Sequence, residues 1–504
     1  MTMLDNNRSN SPQPGSSDFG NWQRSATIGL FGMNPVVSFA GLGIVLGAGG
    51  MMMFPGPLPT LIYLAVAAVL YVPLAVKIEG KSVFARLVRR MSFRRARRRR
   101  ETAYLGGPLS PQPQGRMRLP GLLAASRLYS AVDAYGEEFG FLRIPVTNSY
   151  PVIVRAQADG DALVDAVTVD NMIGTWSGFL QTLPQWPDIK ALSVTIESVP
   201  DPGRKIANEV DRMRTEDAAV SEFTEAVFCE LRSAAGVGSA AQHTWMSLVF
   251  DGGRGKDRRG VEEMATEIGA QLPDIVGALS GTGAGAAVAM RPAEVAQLAW
   301  AAFHPEEAGD LDDVDHAGGE ELVDLDWESA GPAAAEELWD RYKHDSGISV
   351  SFVMEAAPRG SVKETVLKRL LEPHPHLPRK RVTIYYRPLD PAAAAAWADR
   401  QRNVVATNHG QLAAARETST TQAAANARDE ARGAAVLRFA VITTITVTDE
   451  EQLRRAIKAI RTLHAGARLV MSRAYGQQAG AFSAGLGLGV LLPDHVTLPK
   501  VVTE

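Results

Sequence analysis

Two uncharged apolar runs, Val36–Phe54 and Leu58–Val76, stand back to back near the start of the chain. An arginine-dense stretch follows them directly, from Lys77 to Arg100. Each run has 19 residues, within the roughly 17–25 that cross a bilayer as a helix. Pro55, Pro57 and Pro59 part the runs, so the sequence predicts a helical hairpin over 36–76 with a very short turn. Positive charge after a span is retained on the cytoplasmic side. The expectation is a two-pass protein of the cell membrane with both termini cytoplasmic. A secretory leader fits the first run poorly, because 35 residues precede it with only Arg8 and Arg24 as cations, and a second run follows at once.

The first run is rich in glycine: Gly41, Gly43, Gly47, Gly49 and Gly50, then Met51–Met53. Gly43 and Gly47 form a small-xxx-small pair, which lets helix backbones approach closely and predicts a helix-packing site. The other reading is that these glycines only lower helix propensity. The basic cluster Arg89, Arg90, Arg94, Arg95, Arg97, Arg98, Arg99 and Arg100 reads as a topology determinant. It would attract anionic lipid headgroups at about 1 kcal/mol per basic residue. Nucleic acid is the less favoured partner, since among aromatic residues only Phe93 interleaves the arginines.

Composition places the rest. The 504 residues are 46% hydrophobic and 21% charged, which leaves most of the chain ordinary for a globular protein. Residues 1–100 hold 13 Lys/Arg against 3 Asp/Glu, so the net −4 of the whole conceals an acidic remainder. The single cysteine, Cys229, excludes an intrachain disulfide. The tail over 1–35 is rich in Asn, Ser and Pro and reads as disordered. Beyond a basic juxtamembrane segment at 77–103, three parts follow. A first α/β domain covers 104–240. A second α+β domain covers 241–390 and is closed by a β-α-β unit at 436–504. An Ala-rich helical insert at 391–435 reads as either a solvated insert or an interaction arm.

Two stretches share a layout. His243–Asp251, Gly260–Leu279 and Gly285–Met290 read as strand, helix and strand; so do Leu437–Thr448, Asp449–Leu463 and Arg468–Arg473. The fold class expected is thus an N-terminal two-helix transmembrane hairpin plus a cytoplasmic α+β region with ferredoxin-like β-α-β units and the helical insert.

No motif for chemistry stands out, so no catalytic, cofactor or metal site is expected. Gly252–Lys256 is followed by Asp257 where a P-loop needs Ser or Thr. Gly281–Gly285 leads into a strand rather than opening a helix, which loses the phosphate-binding geometry. His374 and His376 sit among prolines without further ligands. Cys229 has no local His partner and reads as a buried thiol.

The order of elements is suggestive. The hairpin with its basic exit resembles the small PrgI-like component of conjugative type IV secretion systems. The region from Tyr104 to Leu492 resembles the N-terminal, non-ATPase part of the large ATPases of those systems in its mid-chain β-α-β unit, Ala-rich insert and final β-α-β, and Leu469–Pro493, with Tyr475-Gly-Gln-Gln478 and Ala481-Phe482, resembles the stretch that precedes the motor domain. The chain ends at Glu504, where a motor domain would begin. The resemblance implies an actinobacterial conjugation-associated membrane protein. It would act as a non-catalytic scaffold, oligomeric within a complex, docking a separate P-loop ATPase and channel subunits. The rival resemblance is to EccE, a type VII secretion membrane component with two N-terminal helices and a cytoplasmic α/β domain. A membrane-anchored enzyme with an unrecognised site is the remaining alternative.

Overall fold

The computed structural model describes residues 18–19, 35–53, 57–78, 81–110, 116–158, 160, 164–200, 221–234, 240–308, 325–358, 362–390, 394–397, 399 and 436–496. The tail over 1–35 and the Ala-rich insert therefore lie almost wholly outside the described residues.

Three helices come first: α1 (Pro35–Met51), α2 (Leu58–Ala75) and α3 (Val83–Arg98). They are followed by β1 (Ala103–Leu105), the hairpin β2 (Arg127–Val132) and β3 (Glu138–Arg143), then β4 (Ser149–Gln157), α4 (Ala166–Thr182), β5 (Ile189–Pro200), α5 (Glu222–Ala234), β6 (Ala240–Asp251), α6 (Val261–Ala278), β7 (Ala286–Ala289) and α7 (Pro292–Phe303). The second half runs β8 (Ala334–Glu337), β9 (Tyr342–His344), β10 (Gly347–Ala356), α8 (Lys368–Leu371), β11 (Arg379–Pro388), β12 (Leu437–Val447), α9 (Glu450–Gly466), β13 (Val470–Arg473) and α10 (Gln478–Gly485).

These thirteen strands form one antiparallel sheet in the order β1-β8-β9-β10-β12-β11-β5-β6-β4-β3-β2, with β7 on β4 and β13 on β10, while Asp18–Phe19 pairs with Val362–Lys363 and Lys77–Ile78 with Lys81–Ser82 in two small sheets apart from it. The order is a palindrome. β4-α4-β5-β6-α6-β7 and β10-α8-β11-β12-α9-β13 are two copies of one β-α-β-β-α-β plan. Each is preceded by a hairpin (β2–β3, β8–β9) and followed by a helix (α7, α10). The copies meet edge to edge through β5 and β11, antiparallel, with Thr195 opposite Thr383 at the centre. Even the turns match: Asn148 before β4 and Asp345 before β10 are both left-handed, at φ 47° and 33°.

Local sequence explains the helices. Asp449 caps α9 by accepting from the Glu451 amide at 3.1 Å. Its buried residues Leu453, Ala456, Ile460 and His464 fall at helical spacing. α6 does the same with Met264, Ile268, Leu272 and Ile275. α4 and α6 cover one face of the first copy, around Phe139, Phe141, Val152 and Met246, and α8 and α9 cover the same face of the second. The opposite face is sealed by α7, α10 and the segment that leaves α10.

That segment, Gly485-Leu-Gly-Leu-Gly489, crosses the central strands so closely that side chains are excluded. A Cβ on Gly487 would lie 2.1 Å from Thr195 Oγ1 and 2.8 Å from Trp245 Nε1, and its φ is +68°. Its carbonyls, with that of Ala484 just before it, take up three of the buried donors beneath. Thr383 Oγ1 donates to Gly485 O at 2.9 Å, Trp245 Nε1 to Leu486 O at 3.1 Å, and Tyr385 OH to Ala484 O at 2.6 Å. Beside them Glu197 accepts from Arg379 Nε at 2.8 Å and Arg381 Nη2 at 2.6 Å, all three side chains being buried. Burial alone would raise the Glu197 carboxyl, but the two guanidiniums overcome it and hold the pKa at about 2. The Arg381 guanidinium carbon lies 5.9 Å from the centroid of the Trp245 ring.

The structure corrects the membrane reading. Among the described residues no helix is long and apolar enough to cross a membrane. At 17 and 18 residues, α1 and α2 lie at the lower end of the range for a crossing helix, below the ~20 residues that cover a ~30 Å hydrocarbon core. The two-pass placement, the membrane-protein class and the cytoplasmic location of both termini fall with that finding. So does the expected fold of a transmembrane hairpin carrying a separate α+β region: the dominant feature is the continuous sheet.

Two outcomes follow. Gly487→Ala should lower stability by about 2–4 kcal/mol in urea unfolding, because its Cβ has no space and its φ is strained. Glu197 has a depressed folded pKa, so its contribution is full above ~4.5 and is lost as pH falls toward about 2. Glu197→Gln should remove that part of the acid transition and cost about 3–5 kcal/mol at pH 7, by leaving two buried arginines without their anion.

Candidate functional site

The arginine-rich helix α3 is the strongest surface feature. Its inward side is short and apolar: Val83, Ala85, Val88 and Ala96 are half-buried, and Phe93 is buried. Phe93 meets Trp339 edge-on with ring centroids 5.5 Å apart. Trp339 in turn stacks on Tyr475 at 6.0 Å, and the Arg473 guanidinium lies 5.8 Å from the Tyr475 ring. Gly476 is required there, since a Cβ would lie 2.6 Å from the Trp339 ring. Asp340 accepts from Arg341 at 3.2 Å and pairs with Arg473 at 3.4 Å, and Arg341 also pairs with Glu450 at the start of α9. The helix thus rests on a platform built from the β8–β9 hairpin and the closing segment after β13. Its end is a left-handed C-terminal cap: Arg100 has φ 58° and the Glu101 amide donates to Ala96 O at 3.0 Å.

The outward side carries two kinds of residue. Phe84, Leu87 and Met91 are exposed toward the N-terminal half; Arg90, Arg94, Arg95, Arg97 and Arg98 are exposed toward the C-terminal half. None of these five pairs with a carboxylate among the described residues, whereas Arg99 approaches Glu101 at 3.6 Å. Their position at the helix C-terminus is favoured by the macrodipole. Arg89 turns inward. Burial lowers its pKa, opposed by the nearby Glu355 carboxylate, which itself accepts from Ser472 Oγ at 2.5 Å. The cluster read from sequence is therefore split: Arg89 is structural and the exposed five are free to bind.

The glycines of the hairpin divide differently. A Cβ on Gly47 would lie 2.1 Å from Tyr63 Oη and one on Gly41 2.8 Å from Tyr71 Oη, so both admit a tyrosine of α2. Gly43 faces open space.

Elsewhere the chemistry is closed off. His344 Nε2 lies 2.8 Å from Ser349 Oγ, which lies 2.7 Å from Thr446 Oγ1. The geometry could serve a nucleophile, but all three are buried, and burial pushes His344 down to about 4. His304 Nε2 pairs with Asp345 Oδ2 at 2.8 Å. Burial opposes its charge, yet the Asp345 carboxylate and the Trp300 carbonyl raise its pKa above the usual value. Neither pair carries a sequence signal, because the partners meet only through the β8–β10 turns. Lys380 is buried, donates to the Glu372 carbonyl, and is lowered by burial to about 8. No group of three or more His, Cys, Asp or Glu among the described residues could hold a metal ion. The His376 amide donates to His374 Nδ1 at 3.1 Å, and the two rings are 5.6 Å apart. In the Gly252–Gly260 loop, Arg259 is engaged by Asp188 at 2.7 Å and Glu267 at 2.5 Å, and Glu262 and Glu263 occupy the first turn of α6. Cys229, read as a buried thiol, is exposed on α5.

A family model described as Domain of unknown function (DUF8461) matches residues 26–85, which takes in α1, α2 and the first residues of α3. No curated protein matches the chain.

Phe93→Ala should release α3 from its platform. Amide exchange over 83–98 should accelerate at least about tenfold while the central strands stay protected, since the lost contact is local and worth about 1–3 kcal/mol.

Proposed function

We propose that the chain is a non-catalytic docking scaffold that holds a separate P-loop ATPase within a type IV secretion-like apparatus. The observation that carries this reading is the exposed arginine set Arg90, Arg94, Arg95, Arg97 and Arg98, presented by a helix whose other side is pinned at Phe93. Such a face offers fixed positive charge beside the apolar patch Phe84, Leu87 and Met91. It suits an acidic protein surface that carries a small apolar anchor. The sealed interior supports a scaffold rather than an enzyme: the Ser349–His344 pair is out of reach of substrate. The resemblance of Leu469–Pro493 to the stretch before a secretion motor supports a secretion ATPase as the partner. In this fold that stretch contributes Tyr475 to the platform beneath α3.

The test is quantitative co-purification of the full chain with its cognate ATPase at graded salt. Replacing Arg94, Arg95, Arg97 and Arg98 by glutamate should weaken capture at least about tenfold, and wild-type capture should fall as salt shortens the Debye length below ~8 Å. Capture unaffected by both changes would sink the proposal. Salt-sensitive binding of the wild type to duplex DNA instead of the ATPase would replace it with a nucleic-acid reading.

A further inference from the structure

The two halves of the duplication enter their first long strand through the same left-handed turn but fasten that turn differently. In the first half Asn148 donates through Nδ2 to Gly252 O at 2.7 Å and Gly253 O at 3.0 Å. Nothing in that clasp titrates. In the second half the turn residue is Asp345. Its carboxylate accepts from the Ala333 and Ala334 amides at 3.0 and 2.9 Å, where β8 begins, and from His304 Nε2 at 2.8 Å. His304 directly follows α7, the helix that closes the first half. Its other ring nitrogen, Nδ1, lies 2.9 Å from the Trp300 carbonyl. A carboxylate and a carbonyl only accept, so both ring nitrogens must donate and the ring is an imidazolium. The Trp300 indole stacks on it, with centroids 4.4 Å and planes 14° apart, a further contact that favours the cation.

We infer that His304 and Asp345 are a proton-operated clasp between the two halves, closed while the imidazole is charged and loosened when it loses its proton, and that the β8–β9 hairpin is the element it frees. Loss of one proton leaves a ring lone pair facing either the Asp345 carboxylate or the Trp300 carbonyl, so one bond of the clasp gives way to repulsion. The groups around the ring agree. Burial opposes its charge, but Asp345 of the β9–β10 turn, the Trp300 carbonyl of α7 and Glu307 beyond α7 outweigh it and raise the pKa. His344 of β9 stays neutral, because burial pushes it down to about 4. Arg379 of β11 is engaged by the Ala301 carbonyl and by Glu197. Tyr104 and Tyr342, on the strands beside Asp345, are kept as phenols by burial. The folded pKa of His304 thus lies above the ~6.5 of the free side chain. The clasp contributes fully below ~6.5, and its contribution is lost as pH rises through that raised value. The hairpin it holds carries Trp339, the seat of Phe93, so the footing of α3 loosens with it, whatever α3 binds.

The experiment is amide exchange of the full chain between about pH 6 and about pH 9, expressed as protection so that the intrinsic effect of pH is divided out. Over 333–345, wild-type protection should fall roughly fivefold across that range, the step between a charge-assisted hydrogen bond and a neutral one, while β5 and β11 keep theirs. His304→Gln supplies a neutral donor, and Asp345→Asn repeats the residue used at the matching turn of the first half. Each should show the loosened level at every pH, constant to within about twofold. The two variants change opposite partners, so a folding defect in one leaves the other to decide. Wild-type protection that does not change with pH overturns the inference. So does an equal fall in the variants, which would move the effect to another group such as Lys380, lowered by burial to about 8.

Discussion

The antiparallel contact of β5 with β11 is the constraint on which the rest depends. Each half of the molecule ends its own four-strand plan at that strand, so neither half closes without the other. The contact is polar where a core is usually oily. Thr195 donates to Thr383 at 3.1 Å, and Glu197 crosses to Arg379 and Arg381. Buried groups of this kind cost free energy unless they are fully paired. The stretch 484–489 adds to the pairing by bringing its carbonyls down onto Thr383, Trp245 and Tyr385, while Arg381 Nε and Nη1 stay buried without a hydrogen-bond partner among the described residues. Residues near the end of the chain therefore act on a junction built by residues some 100 to 290 positions earlier.

That dependence explains what could be read from the sequence. α6 and α9 announce themselves by local period, Met264-Ile268-Leu272 and Leu453-Ala456-Ile460, and the strands around them alternate. What no local pattern reports is how β6 pairs with β4 or β12 with β10, since those pairings close loops of about 90 residues. The duplication is hidden for the same reason: its halves share a plan and almost no residues, and the connection that is α4 in one half shrinks to a four-residue α8 in the other. Gly485, Gly487 and Gly489 look like a flexible run until Thr444, Thr195 and Pro151 are seen beneath them.

The surface was legible in kind and misplaced in detail. The arginines were visible, but their helical phase, with Arg89 turned inward and five turned outward, required the Phe93–Trp339 contact. The apolar pair over 36–76 was equally visible, yet among the described residues neither of its helices, at 17 and 18 residues, is long and apolar enough to cross a membrane. Gly47 and Gly41 serve the contact between α1 and α2 through two tyrosines, a role set by tyrosine placement rather than by glycine spacing alone.

Because β5 and β11 run in opposite directions, the chain leaves them at opposite ends. Pro200 and Pro388 each lie five residues from the central threonines, which separates the two exits by about 33 Å at strand rise. Two long connections of the polypeptide, 201–239 and 389–436, therefore start from opposite rims of the sheet. Substitutions at Pro200 and Pro388 themselves are too far apart to share contacts and should act additively. The duplication gives one sheet two separate poles.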